Sequence, residues 1–189
     1  MANITSIILL LGLVLFWGVS LYNVLKYSGT SHTQFESPLS LEFLLALLGT
    51  LFMFAETLAY VATRLLDASI TIHGTMSKIG VFIFLSGCFL HAWSVRVRGK
   101  YSVSWTMPED HKLIKSAPYS FVRHPSYLGY MLMIIGVTLI WRKWFTLFPW
   151  VAIPGYFMVS RREEQLLIKH FGDEYREYME KVGGFIPKI

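Results

Sequence analysis

The sequence is poor in charged residues and in cysteine, and both shortages limit what the protein can be. Only 15% of the 189 residues are Asp, Glu, Lys or Arg, whereas 54% are hydrophobic, which exceeds the apolar share of ordinary soluble domains. The single Cys88 excludes an intrachain disulfide and a metal site built from several cysteines. The sequence also lacks a G-x-G-x-x-G motif and any strand–helix alternation, so the common nucleotide-binding sheet is excluded.

Long apolar runs dominate the remaining sequence. A helix needs about 20 mainly apolar residues to cross the hydrocarbon core of a bilayer. Three segments meet this length: Ile4 to Leu25, Leu39 to Ala62, and Ile79 to Val95. Two shorter stretches, Tyr127 to Trp141 and Trp144 to Val159, are separated by Arg142 and Lys143 and predict a helical hairpin. We therefore expect an all-α, polytopic membrane protein with about five transmembrane helices.

The domain organisation follows from this pattern. A single membrane domain over residues 1–189 is expected, with three membrane helices in residues 1–95 and a more polar part in residues 96–189. The chain ends in a segment where apolar residues recur at helical spacing among charged ones, which predicts a C-terminal amphipathic helix bent near Gly172. Positive charges follow the apolar runs, which disfavours nucleic acid as a partner and favours membrane lipids.

The basic residues also predict an orientation in the membrane. If the N-terminus lies outside, every basic residue falls on the cytosolic side except Arg64, Lys78, Arg142 and Lys143. The polar loop before the fourth apolar stretch and the C-terminal segment then share one cytosolic face. This face is the expected place for a site.

The loop before the fourth apolar stretch is the most informative segment. It reads DHKLIKSAPYSFVRHPSYLG over residues 110–129, and Pro118 and Pro125 indicate a shaped loop instead of a continuous helix. Tyr119 and Tyr127 offer aromatic faces to a base or a cation, although tyrosines are also common at membrane interfaces. The combination predicts a binding loop at the membrane boundary.

Four other polar residues are assigned structural roles. Cys88 lies inside an apolar run and is expected to pack in the interior. Glu56 and His91 lie within membrane spans, where polar groups are costly, and we expect them to hydrogen-bond between helices outside the site. Ser126 is placed to cap the helix that follows the loop and to leave an anion-binding helix N-terminus.

Residues of the loop and of the C-terminal segment together resemble a known family. Tyr119 and R-H-P-S-Y-L-G at 123–129 are followed, after the apolar hairpin, by Glu163 and Glu164 and by H-F-G-D-E-Y-R-E-Y at 170–178. This order resembles the isoprenylcysteine carboxyl methyltransferases, part of a membrane methyltransferase superfamily that includes phospholipid N-methyltransferases. The resemblance covers roughly the C-terminal half of the chain.

The resemblance implies methyl transfer from S-adenosylmethionine, with S-adenosylhomocysteine as product, to the carboxylate of an isoprenylcysteine or a similar lipid-like acid. It also implies a cofactor-binding loop on the cytosolic face, covered by the C-terminal segment. By motif position, the cofactor-binding residues are His111, Lys112, Leu113, Ile114, Tyr119, His124, Pro125, Ser126, Tyr127 and Glu163.

Arg162 and Glu163 are the expected catalytic residues. The family places a substrate-contacting arginine a few residues before the glutamate, and Arg161 and Arg162 are the candidates here, although their spacing differs from the family pattern. A carboxyl with a pKa of about 3.5 is already ionised at neutral pH, so its methylation needs no general base. An arginine suits its positioning because the guanidinium can bind a carboxylate through two hydrogen bonds.

Three other functions remain open at this point. N-methylation of a phospholipid amine would require a base such as Glu163 or His124. The R-H-P-x-Y-x-G motif is also similar to that of some membrane sterol reductases, and a small membrane scaffold without activity is the last alternative. For an enzyme we expect a lipid-like or prenylated substrate and a multi-pass protein, in the plasma membrane of a prokaryote or the endoplasmic reticulum of a eukaryote; the oligomeric state is left open.

Overall fold

The computed structural model describes residues 2–27, 33–34, 40–66, 74–101, 106–107 and 111–188, and these are mostly helical. The α-helices are α1 (Ala2–Tyr27), α2 (Leu41–Leu66), α3 (Thr75–Arg98), α4 (Pro125–Trp141), α5 (Ala152–Phe171) and α6 (Asp173–Lys181). Two 3-10 helices cover Gly99–Tyr101 and Trp144–Val151. Two short strands, β1 (Thr33–Gln34) and β2 (Thr106–Met107), pair antiparallel. The predicted all-α class is confirmed, and Asp110 of the loop lies outside the described residues.

Three helices are long and apolar enough to cross a membrane. They are Thr5–Tyr27 in α1, Leu41–Leu66 in α2, and Thr75–Tyr101, which includes α3. Large apolar side chains on α1, such as Leu11 and Val14, are more than 60% exposed, as expected where a helix faces lipid. The protein is therefore a membrane protein with three candidate spans. The apolar α4 is shorter, so the count of five stays a prediction.

The segment after α4 differs from the predicted hairpin. We expected a second apolar helix from Trp144 to Val159, but the chain first forms the 3-10 helix Trp144–Val151, which contains Pro149. Proline lacks the N–H that an α-helix interior requires. The following helix α5 begins at Ala152, tolerates Pro154 in its first turn, and continues to Phe171. The acidic pair of the motif therefore lies in the middle of α5.

Helices α3 and α4 pack closely along a row of glycines. Gly80 on α3 faces Gly136 on α4, and Gly87 on α3 faces Gly129 on α4. The two glycines of each helix are seven residues apart and therefore lie on one face of that helix. A Cβ atom added to Gly87 would lie 2.5 Å from the Gly129 carbonyl oxygen. The two backbones are in contact because neither helix has a side chain there. This packing holds the start of α4 beside the end of α3.

Two apolar clusters stabilise the rest. The larger one lies among α1 to α5 and includes the buried Cys88, which confirms its predicted packing role. The smaller one contains Tyr175, Tyr178 and Val182, against which Leu113 of the loop packs. It forms because Gly172 interrupts the helix between α5 and α6. Gly172 has a φ of +58°, a backbone conformation that glycine adopts readily. The break was predicted from sequence.

We expect Gly87→Val to destabilise the protein by roughly 1–3 kcal/mol or more, because the added side chain forces α3 away from α4. Thermal unfolding in detergent measures this, and the matched control is Gly18→Val, since a Cβ at Gly18 meets nothing within 4 Å. Equal melting temperatures of the two variants would contradict the close packing.

Candidate functional site

The loop before α4 is joined to the C-terminal segment by main-chain hydrogen bonds. The loop turns at Ser116–Phe121, and α4 then begins at Pro125, where a proline is well tolerated. The backbone N–H groups of Arg123 and His124 donate to the carbonyl oxygens of Gly183 and Gly184 at 2.8 and 3.0 Å. These hydrogen bonds hold the C-terminal segment beside the loop.

Arg123 and Glu164 form the ion pair that connects this loop to α5. Arg123 Nε and Nη2 both lie 2.8 Å from Glu164 Oε1. Arg123 Nη1 donates to the carbonyl oxygens of Val182 and, at 3.3 Å, Met179. The guanidinium of Arg123 therefore contacts both α5 and the end of α6.

His124 lies between the two adjacent glutamates of α5. Its Nε2 is 2.8 Å from Glu164 Oε1, and its Nδ1 is 3.7 Å from Glu163 Oε2. Tyr127, in the first turn of α4, donates a hydrogen bond from its hydroxyl to Glu163 Oε1 at 2.6 Å. Both halves of the sequence motif, which are about 40 residues apart, meet in this cluster.

The electrostatics of the cluster favour an ionised Glu164. Burial by itself raises the pKa of this carboxyl, but hydrogen bonds and charges from His124 and Arg123 oppose it, and the net pKa is lowered. Burial also raises the pKa of the Tyr178 phenol, so Tyr178 remains a donor and bonds to the Tyr119 carbonyl oxygen at 2.5 Å. Tyr119 itself is 5% exposed and supports the loop from inside.

His111, the first of the predicted binding residues, packs against the C-terminal end of α5. The His111 ring contacts the rings of Tyr101 and Phe171, with centroids 4.8 and 5.5 Å away, and faces His170 at 6.2 Å. His170 is seven residues after Glu163 and thus on the same face of α5, about 10 Å along the helix axis. Ring groups and the glutamate therefore lie at two ends of one α5 face.

The remaining predicted binding residues differ in their exposure to solvent. Leu113, Ile114 and Ser126 are half-buried, and Pro125 is buried at the start of α4. Lys112 is exposed.

Arg162, one of the two expected catalytic residues, forms an ion pair with Glu42 outside the cluster around Glu163. Its Nη2 lies 2.5 Å from Glu42 Oε1 on α2, and its side chain is 52% exposed. The reason is helix geometry, because consecutive residues of an α-helix point about 100° apart. Arg161 is exposed as well.

Arg98, at the end of α3, was missed by the sequence analysis. Its Nε and Nη2 donate to the Tyr101 carbonyl oxygen at 2.9 and 2.8 Å, and the Ser94 carbonyl oxygen, one turn earlier on α3, accepts a hydrogen bond from the Tyr119 hydroxyl at 3.4 Å. The sequence analysis counted Arg98 only as an orientation charge. Its spacing could have revealed it, because Arg98 follows the buried His91 by seven residues and shares its helix face.

The buried Glu56 Oε2 has no hydrogen-bond partner among the described residues, contrary to the prediction for it, whereas His91 makes the predicted hydrogen bonds between helices. Its Nδ1 lies 2.8 Å from Ser126 Oγ on α4, and its Nε2 lies 2.9 Å from Ser20 Oγ on α1. The prediction that Ser126 caps α4 is wrong, because α4 begins at Pro125 and His124 occupies the N-cap position. The Ser126 hydroxyl contacts His91 instead.

These features define a class: a helical membrane protein with a charged and aromatic site at one end of its helices. The family model described as phospholipid methyltransferase matches residues 75–174, more than half of the chain. The chain belongs to this family, and the matched residues include the loop, His124 and the acidic pair of α5.

Several curated proteins are similar to the chain. The protein-S-isoprenylcysteine O-methyltransferase of Saccharomyces cerevisiae is 33% identical over 116 residues, which cover 59% of this chain and 48% of the relative. The Tribolium castaneum protein of the same name is 30% identical over 125 residues, 60% of this chain and 42% of the relative. Protein-S-isoprenylcysteine O-methyltransferase B of Arabidopsis thaliana is 24% identical over 142 residues, 72% of each chain. The chain spans about half the length of the first two relatives.

We expect Glu164→Gln to lower the melting temperature at pH 7, by an amount equivalent to about 1–3 kcal/mol, and to weaken its dependence on acid. The lowered pKa of Glu164 means that its stabilising effect is present above its ordinary value of 4.5 and is lost as the pH falls below it. Thermal unfolding in detergent between pH 3 and 7 measures both effects. Glu177→Gln, at an exposed position of α6, is the control, and an unchanged acid dependence in Glu164→Gln would refute the assignment.

Proposed function

We propose that this chain transfers a methyl group from S-adenosylmethionine to the carboxylate of an isoprenylcysteine or a similar lipid-like acid. The methyltransferase family supplies the reaction class, and the names of the relatives suggest the acceptor. A prenylated acceptor also suits a protein whose apolar helices lie in the bilayer that holds the prenyl chain.

One observation carries this proposal: the loop motif and the α5 motif meet. His124 Nδ1 and Glu163 Oε2 are 3.7 Å apart, and Tyr127 donates to the same carboxylate. Residues that are distant in sequence and matched to one family motif thus form a single cluster. The predicted cofactor-binding residues form part of it.

The residues present fit S-adenosylmethionine. Its sulfonium is a cation, for which the Glu163 carboxylate and the Tyr127 ring are suitable neighbours. Its adenine is flat and largely apolar, and the half-buried Leu113 and Ile114 beside the His111 ring suit such a group. When bound, S-adenosylmethionine supplies an electrophilic methyl group.

The protein's own contribution is positioning and the exclusion of water. Donor and acceptor carry opposite charges that cancel during transfer, so a site with little water favours the reaction. The buried His124 and Glu163, 6% and 9% exposed, provide such surroundings. An acceptor already ionised at neutral pH requires no proton transfer.

A multi-pass arrangement with the site on the cytosolic face belongs to the same proposal. The start of α2 meets α5 through Glu42 and Arg162, and the start of α4 meets α3 through Ser126 and His91. These contacts support alternating helix directions, with the site at one membrane surface. The basic residues concentrated at that end favour the cytosolic side, with α4 and the first half of α5 completing five crossings.

Phospholipid amine methylation is the second candidate, because the family description itself names phospholipids. An ammonium acceptor must lose a proton before it can attack, and His124 or Glu163 would have to accept it. Its rate would rise with pH until the amine and base are deprotonated. A carboxylate acceptor predicts a flat pH profile from 6 to 8.

The test is incubation of the protein in vesicles with radiolabelled S-adenosylmethionine and N-acetyl-S-farnesylcysteine. We expect label that is released by base as methanol, because methyl esters hydrolyse and methylamines do not. Vesicles with phosphatidylethanolamine as the sole acceptor are the parallel sample. Base-stable label in that sample, with none in the first, would establish the second candidate and reject the first.

We expect Glu163→Ala and His124→Ala each to weaken S-adenosylmethionine binding by at least about tenfold, because loss of a buried hydrogen-bonding partner costs roughly 1–3 kcal/mol. Isothermal titration in detergent measures the affinity. Gln165→Ala, at an exposed position of the same helix, is the control. Wild-type affinity in both variants, with melting temperatures retained, would show that the cofactor binds elsewhere.

A further inference from the structure

A buried arginine without a partner lies at the end of α2. Arg64, in the last turn of this helix, is 2% exposed, and its Nε and Nη1 have no hydrogen-bond partner among the described residues. Glu56, the other charged residue in the second half of α2, lies eight residues earlier, about 12 Å along the helix axis. No ion pair joins these two described residues. Because a buried charge without a counter-charge is costly, Arg64 requires an anion.

An apolar crevice begins one helical turn from Arg64. It is lined by side chains of α1, α2 and α4, namely Leu9, Thr57, Tyr60, Val137, Ile140 and Trp141. The crevice includes the last residues of α4, whereas His124 precedes the first, so it lies at the other end of the bundle from the candidate site. The Thr57 hydroxyl already donates to the Met53 carbonyl oxygen at 2.7 Å. The crevice therefore suits a hydrocarbon chain, which is stabilised by apolar contact, better than a soluble anion.

Helices α1 and α2 run antiparallel toward this end. The ring centroids of Phe16 on α1 and Phe54 on α2 are 4.9 Å apart. Seven residues back along α1 and six residues forward along α2, Leu9 and Tyr60 line the same crevice. Residue numbers thus fall along α1 while they rise along α2. The start of α1 therefore lies beside the end of α2.

A second buried polar group lies at the level of Arg64. Ser6 is one turn before Leu9 on α1, and Arg64 is one turn after Tyr60 on α2. Ser6 is 1% exposed, and its Oγ also lacks a hydrogen-bond partner among the described residues. A hydroxyl and a guanidinium can both donate hydrogen bonds. Together they suit an anion that presents several oxygen atoms, such as a phosphate.

The depth of Arg64 in the membrane suits a lipid headgroup. Helix α2 has 26 residues and is therefore about 39 Å long, whereas the hydrocarbon core is about 30 Å thick. Its last turn thus reaches the headgroup region. Ser77 donates to the Ile140 carbonyl oxygen at 3.2 Å, which holds the start of α3 beside the end of α4. The exposed Lys78 and Lys143 lie next to this contact, and their charges favour a headgroup with net negative charge.

We propose that Arg64 and Ser6 bind the phosphate of an anionic phospholipid, one of whose acyl chains lies in the adjacent crevice. The phosphate supplies the counter-charge that Arg64 lacks, and the bound lipid holds the start of α1 against the end of α2. This lipid site lies at the membrane surface opposite to His124 and Glu163. It does not depend on the methyl transfer proposed above, and neither of its tests measures activity.

The first test is native mass spectrometry of the wild-type protein, released from micelles that contain equal amounts of phosphatidylglycerol and phosphatidylcholine. We expect one phosphatidylglycerol to be retained, with a preference of at least about tenfold over phosphatidylcholine. The preference should disappear in Arg64→Met and persist in Lys78→Met, the matched control, which removes an exposed charge at the same end. Absence of a preference in the wild type would show that Arg64 finds its counter-charge within the chain and would overturn the inference. Equal loss in both variants would also overturn it, because general attraction to a basic surface would then be sufficient.

The second test is thermal unfolding in detergent. Added phosphatidylglycerol should raise the melting temperature of the wild type by about 5 °C or more, and that of Arg64→Met by less than half as much. Inorganic phosphate is the parallel sample, and an equal rise with phosphate would show a site for a free anion and reject the lipid. A folded Arg64→Met variant that gains as much from the lipid as the wild type would overturn the role of Arg64. If this variant does not fold, the lipid preference of the wild type decides.

Discussion

The ion pair between Arg123 and Glu164 is the constraint on which the site depends. Both residues are partly buried, so each charge needs the other, and loss of one partner leaves an uncompensated charge. His124 directly follows Arg123, and Glu163 directly precedes Glu164. Because the pair of Arg123 and Glu164 holds the loop against α5, it also holds His124 beside Glu163. The tail is held by the same guanidinium through the Val182 carbonyl oxygen.

The sequence predicted the parts of the site that local patterns encode. Prolines marked the loop, glycine marked the break after α5, and the paired motifs indicated which residues would meet. It could not predict the contacts of Arg162, because they depend on which face of α5 turns inward. Arg162 and Glu163 are neighbours in sequence but point in different directions, so Arg162 pairs with Glu42 on α2 whereas Glu163 accepts a hydrogen bond from Tyr127 on α4. Such docking depends on tertiary packing and not on periodicity.

Helix boundaries after α4 were also beyond the sequence pattern. Apolar residues continue from Trp144 to Val159, and hydropathy does not distinguish a 3-10 helix from an α-helix. The first helix appeared unrelated to any site, since only its hydrophobicity was recognisable. Yet Phe16 stacks on the His91 ring, with centroids 4.1 Å apart, and Ser20 contacts its Nε2. The N-terminal helix thus supports the residue that holds Ser126.

The contacts of His91 determine where each hydroxyl proton points. Ser20 donates its only proton to the Phe16 carbonyl oxygen at 2.8 Å, so it accepts from His91 Nε2. A charged imidazole in this apolar interior would be costly, and the neutral ring has one N–H, which makes Nδ1 the acceptor of the Ser126 proton. Ser126 is left with lone pairs alone, and a molecule bound at the start of α4 finds there a partner for an amino group and not for an anionic oxygen.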